Sequence, residues 1–172
     1  MSKTNMNADK GDPGRKPRPS QPGAAPAQRF SPNSIILPLQ SATLRDAVDE
    51  LMPKALHGAG DVFLKSAKIA ESLKKSLGPR CVESHHGLVF IHHRLKDISG
   101  PRMALGISPT GLQPEGEGGT AVFVAALFLS PLHEQGGDIP LWAKKTMCDE
   151  RMIYQLRTAP DLAAVLALLA AP

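Results

Sequence analysis

A chain of 172 residues has the length of one globular domain, and 20 Lys and Arg against 16 Asp and Glu give a net charge of +4. Six of the basic residues (Lys3, Lys10, Arg15, Lys16, Arg18, Arg29) stand before Asn33 with only Asp9 and Asp12 against them, so the remaining 14 and 14 cancel. A body without net charge excludes a dedicated nucleic-acid binder, and an aromatic fraction of 4% excludes stacking platforms for single strands or an aromatic-lined carbohydrate groove.

Residues 1–31 are rich in Pro, Gly, Ser, Asn, Lys and Arg and hold almost nothing whose burial would offset the entropy of ordering. The expected division is a disordered basic tail over 1–31 and a single domain over 32–172. The tail has no apolar run to serve as a signal peptide, and Arg15, Lys16 and Arg18 are too broken by proline to form a site. Residues 35–39 (Ile-Ile-Leu-Pro-Leu) follow a turn-forming Ser-Pro-Asn-Ser and read as an edge strand, because proline cannot donate to a ladder. Thr43-Leu44-Arg45-Asp46 has the form of a capping box with Asp in place of Glu. Leu44, Val48, Leu51, Met52 and Ala55 then recur at helical spacing, predicting a helix to about Leu56. Asp61 is placed to cap a second helix with Val62, Ile69, Ala70 and Leu73 inward, ended by Gly78-Pro79.

Beyond residue 80 the pattern turns to strands over 87–93, 102–108 and 120–129, separated by Ser-Gly-Pro and Pro-Thr-Gly turn chemistry. The third is apolar on both faces, which belongs at the centre of a sheet covered by helices on each side. Two helices close the chain, over 140–157 and 160–171. The second buries Leu162, Val165, Leu166 and Leu169 and is about half the ~20 residues that span a bilayer. The order β-α-α-β-β-β-α-α predicts an α/β fold, a three-layer α/β/α sandwich with a central mixed β-sheet. Cys81 and Cys148 suit a reducing compartment as buried thiols, and the chain reads as cytoplasmic with no direct membrane insertion.

Four of the six histidines form two pairs, His85-His86 and His92-His93, around one strand. Neighbouring strand residues point to opposite faces, so His92 and His93 are poorly placed to share one metal ion, and no HExxH or CxxC spacing completes a site. No cofactor is implied. The open alternatives are histidines without a chemical task and a nucleophilic histidine that accepts a phosphoryl group beside Arg94.

The segment Gly87-Leu-Val-Phe-Ile-His-His-Arg94 resembles the Gly-hydrophobic-Ala-hydrophobic-Pro-His-x-Arg strand of the phosphotransferase-system IIA domains of the fructose, mannitol and nitrogen-regulatory class. Residues 31–51, 101–106, 122–131 and 156–161 are similar in order and spacing to that family's opening strand and helix, next strand, Leu-Ser-Pro strand and closing helices. The resemblance covers about 31–171. It implies a IIA-like fold and a phosphoryl group received on His92 from an HPr-like carrier protein, with a membrane transporter subunit or regulatory protein as onward partner and no nucleic acid involved. It further implies that Arg94, Lys74, Ser84 or the amides near Gly87 hold the phosphoryl oxygens, with His93 beside them. Four features depart from the pattern: Ile91 stands where the family has Pro, the Ser-Thr-Gly-Ile-Gly loop is absent from 78–86, Lys74 sits where an Arg often precedes that loop, and the family's second histidine is missing, with only His133, several residues too early unless the loop is shifted, in 132–140. The alternative function is therefore a IIA-like interaction module without phosphotransfer.

Overall fold

The computed structural model describes residues 30–113, 120–133 and 139–170. The expected tail, up to Arg29, lies outside them. Among the described residues, β1 (Ile35–Ile36), β2 (Val82–His85), β3 (Leu88–Leu95), β4 (Arg102–Leu112) and β5 (Val122–Pro131) form one mixed sheet in the order β1-β4-β5-β3-β2. β3 is parallel to β5 and β1 to β4, while β4–β5 and β2–β3 are antiparallel. As its sequence predicts, β5 is the middle strand, and every residue from 124 to 129 is buried.

Strand alternation divides the core into two layers. Val89, Ile91, Ala125, Leu127 and Leu129 pack against α1 (Leu44–Ala55), α2 (Asp61–Leu64) and α3 (Ser66–Ser76). Leu88, Phe90, Val124, Ala126 and Phe128 pack against α4 (Leu141–Met147), α5 (Glu150–Arg157) and α6 (Leu162–Ala170). This is the three-layer α/β/α sandwich.

Local chemistry explains where the elements differ from the expected ones. The helix predicted from Asp61 breaks at Lys65 into α2 and α3, and Gly60, with φ +58°, takes the cap position instead of Asp61. The helix predicted over 140–157 breaks at Cys148, and Asp149 restarts it by accepting the Arg151 N–H at 3.1 Å. Thr43 Oγ1 accepts the Asp46 N–H at 3.1 Å, while the shorter Asp46 carboxylate takes the Thr43 hydroxyl at 2.8 Å. β1 is only two residues long and lies at the sheet edge. β2 has no counterpart in the sequence reading, since Val-Glu-Ser-His carries a single apolar residue and is held by its partner β3. Phe30, on the tail side of the expected boundary, is 2% exposed and belongs to the α4–α6 layer, so the packed domain includes it. Among the described residues no helix is long and apolar enough to cross a membrane.

Candidate functional site

His92 is an interior residue of β3 and not its mouth. Its N–H donates to the Cys81 carbonyl at 2.9 Å, and the parallel ladder with β5 runs unbroken from Leu88 opposite Val124 to Leu95 opposite Pro131. The buried Ile91 explains this. It keeps the backbone N–H that a proline would lack, so the strand continues through both histidines.

Alternation then sends the two imidazoles to opposite layers. His92 lies in the row Met103, Phe128, His92 on the α4–α6 face, and His93 in the row Arg102, Leu129, His93 on the α1–α3 face. Both are half-buried. Burial lowers the His93 pKa from its ordinary 6.5, and the neighbouring His92 charge pushes in the same direction.

Arg94 returns to the His92 face, is exposed, and stands opposite Ser130 of β5. The Leu132 N–H donates to the Leu95 carbonyl at 2.8 Å, so the two strand ends stay together and the exposed His133 follows at the same place. Arg94 and Ser130 thus share the face of His92, two residues nearer the carboxyl end of a parallel strand pair, the end at which open α/β sheets bind ligands, and His133 follows just beyond β5. Leu132 (48% exposed) extends β5 and Leu141 (67%) opens α4, while Phe63 and Leu64 (80%) precede Lys65, whose ammonium lies 3.9 Å from Asp97 just past β3.

The other residues marked from sequence lie elsewhere. Lys74 belongs to the α1–α3 layer, where its ammonium is 2.8 Å from Asp49 and 2.5 Å from Glu71 and its carbonyl accepts from Arg45 at 2.8 Å. The hydrogen bond to Asp49, then that to Glu71, raises the Lys74 pKa. Ser84 stands opposite Val89 and lines a cleft of about 540 Å³ with Leu77, Gly87 and Val122. Gly87 (φ +92°) and His86 (φ +48°) form the two-residue turn of the β2–β3 hairpin, five strand residues or roughly 16 Å from His92. Gly87 is fixed by that turn and by the Phe123 ring, which a Cβ there would meet at 3.0 Å. Ser130 was not marked from sequence, although the Leu-Ser-Pro pattern held it; only the register of β3 on β5 puts it beside Arg94.

No protein-family model and no curated protein matches the sequence. Solved structures do match. Nitrogen regulatory protein IIA-Ntr from Neisseria meningitidis superposes with a TM-score of 0.65 at 16% identity, over 81% of this chain and 95% of that one. IIA mannitol from Escherichia coli gives 0.64 at 14% identity, over 83% and 99%. The fold is that of the IIA proteins of the phosphotransferase system. A third IIA structure, the Escherichia coli mannitol protein in complex with phosphorylated IIB, gives 0.63 at 16% identity, over 83% and 97%. The IIA fold meets the expectation drawn from the spaced motifs. Within it, residues 78–86, where the family loop is absent, form the turn after α3, β2 and the start of the hairpin.

Proposed function

We propose that the chain is a cytoplasmic IIA-type phosphocarrier in which His92 receives a phosphoryl group from an HPr-like carrier and passes it to a transporter subunit or a regulatory protein. The observation that carries this reading is the constellation of His92, Arg94 and Ser130 on one face at the carboxyl end of the β3–β5 pair, on a IIA fold. A neutral His92 ring nitrogen attacks phosphorus, the carrier's P–N bond breaks, and the carrier imidazole keeps the electron pair. Arg94 and Ser130 supply donors for the phosphoryl oxygens, and positioning with charge stabilisation is most of what phosphoryl transfer requires. The exposed Leu132, hydrogen-bonded to the end of β3 directly after β5, suits docking of a protein rather than a small molecule.

The commitment of Lys74 to Asp49 and Glu71 favours a second reading, an interaction module that docks partners on this face without phosphotransfer. Incubation with phosphorylated carrier followed by intact-mass measurement separates the two. The first reading requires one added acid-labile phosphate, lost in His92→Gln and largely retained in His93→Gln, whose ring faces the other layer. Labelling that survives His92→Gln and disappears in His93→Gln would move the acceptor to the α1–α3 face. An unlabelled wild-type chain establishes the module.

A further inference from the structure

The sheet edge formed by β2 carries open backbone groups. The turn residues His86 and Gly87 both have positive φ, which closes a two-residue hairpin on the pair His85 and Leu88, and the His92 N–H donates to the Cys81 carbonyl at 2.9 Å. Hydrogen-bonded pairs alternate along an antiparallel ladder, so Cys81, Glu83 and His85 bond to β3 while the N–H and C=O groups of Val82 and Ser84 point outward. Among the described residues these four groups make no hydrogen bond, and Ser84 is exposed. The other edge, β1, is two residues long with Pro38 close behind it, whereas β2 holds neither Lys nor Pro, residues that commonly blunt an edge.

We propose that two copies of the chain pair through β2, antiparallel and centred on Ser84, so that their sheets become one. Alternation puts Val82 and Ser84 on the α1–α3 face and Glu83 and His85 on the α4–α6 face, where the His85 ring meets that of Phe90. Only outward residues exchange hydrogen bonds across the new ladder, so the two-fold axis falls on a residue of β2 and charge selects which. An axis at Glu83 sets that carboxylate against its own copy, and an axis at His85 does the same to two imidazoles. An axis at Val82 sets Glu83 against Cys81 and carries His85 past the end of the strand. The axis at Ser84 sets Glu83 of each copy opposite His85 of the other, twice, as the non-hydrogen-bonded pairs whose side chains stand closest, and opposite charges are favourable there where like charges are not. Both side chains are 38% exposed, and within one copy the His85 Nε2 is 3.9 Å from Glu83 and makes no hydrogen bond. Lys144 of α4, 2.7 Å from the Glu83 carboxylate, keeps it on this face. The pairing does not require His92 to accept a phosphoryl group.

Sedimentation equilibrium of the full chain near neutral pH, from ~10 μM to ~1 mM, tests the pairing. A four-residue edge is smaller than a standard interface, so the weight-average mass is expected to climb from 18.3 kDa toward twice that value only in the upper part of this range. Ser84→Pro removes an outward N–H that β3 does not use and is expected to weaken association about tenfold or more. Ser84→Lys and Ser84→Glu each set like charges on the axis and are expected to weaken it about two- to fivefold. An equimolar mixture of those two variants is expected to associate more tightly than either alone, because only a residue on the axis meets its own copy. A chain that stays at 18.3 kDa up to ~1 mM, a dimer unchanged by Ser84→Pro, or a mixture no tighter than its components each overturns the proposal. Should Ser84→Pro lose its cooperative thermal transition, the two charged variants decide alone, since the side chain at 84 is exposed in a single copy.

Discussion

Leu127→Ala tests the architecture at its centre. Leu127 is fully buried in the middle strand, in register with Ile91 on one side and Ala104 on the other, and its face is covered by α1. The substitution removes three carbons, whose transfer from water is worth about 2–2.5 kcal/mol. A cavity term adds to this, because a residue clamped between two hydrogen-bonded strands has little room to collapse. The expected loss is about 4 kcal/mol, inside the range measured for buried leucines in other proteins. For a domain of this size that lowers the thermal midpoint by roughly 8–16 °C. Urea unfolding checks it: the midpoint falls by on the order of 2 M while the slope is unchanged. A loss below about 1 kcal/mol at constant slope would refute the placement of β5 at the buried centre of the sheet.

Two further outcomes follow from local geometry. The folded-state pKa of His93 is held below the ordinary 6.5, so as pH falls through 6.5 the unfolded chain takes up more protons than the native one and stability declines, levelling off below the native value. His93→Gln is expected to flatten that decline in urea midpoints measured between about pH 7.5 and pH 5, and an unchanged pH profile would place the ring in water. Gly111 has φ +88°, and a Cβ there would stand 2.9 Å from the Phe123 ring, itself held by the Arg157 guanidinium 3.7 Å from its centroid. Gly111→Ala is expected to cost about 1–3 kcal/mol in the same assay, and a neutral change would show that the ring can yield.

The long elements were legible because their patterns are strong. The stripe from Leu44 to Ala55, the two-sided apolar run of β5 and the Leu-rich α6 each have one sensible burial. The breaks were not. Lys65 and Cys148 interrupt helices whose periodicity continues across them, and a pattern of apolar positions carries no record of a local kink. β2 was invisible for a different reason: its alternation is mostly polar, and it exists through the ladder to β3 from His85 opposite Leu88 to Val82 opposite Ile91. Phe30 was lost in the composition of the segment before it, since one aromatic residue does not alter an average although it fills one place in a core.

The site shows which kind of sequence information reaches into three dimensions. Strand alternation is local and survived: it separated His92 from His93 in the sequence, and the unbroken register from Leu88 to Leu95 puts them on opposite layers. Carrying a role across sequence distance is different, because it assumes that the intervening chain keeps its path. Between Lys74 and His92 the chain runs through β2 and a tight hairpin, and Lys74 is held by a pair of carboxylates on α1 and α3. An ammonium already balanced by Asp49 and Glu71 is a poor donor for a phosphoryl group, since taking up the new anion means giving up two existing ones. The charge that His92 would need must therefore come from its own face and its own end of the sheet. Arg94 is there, two residues from His92 and opposite Ser130.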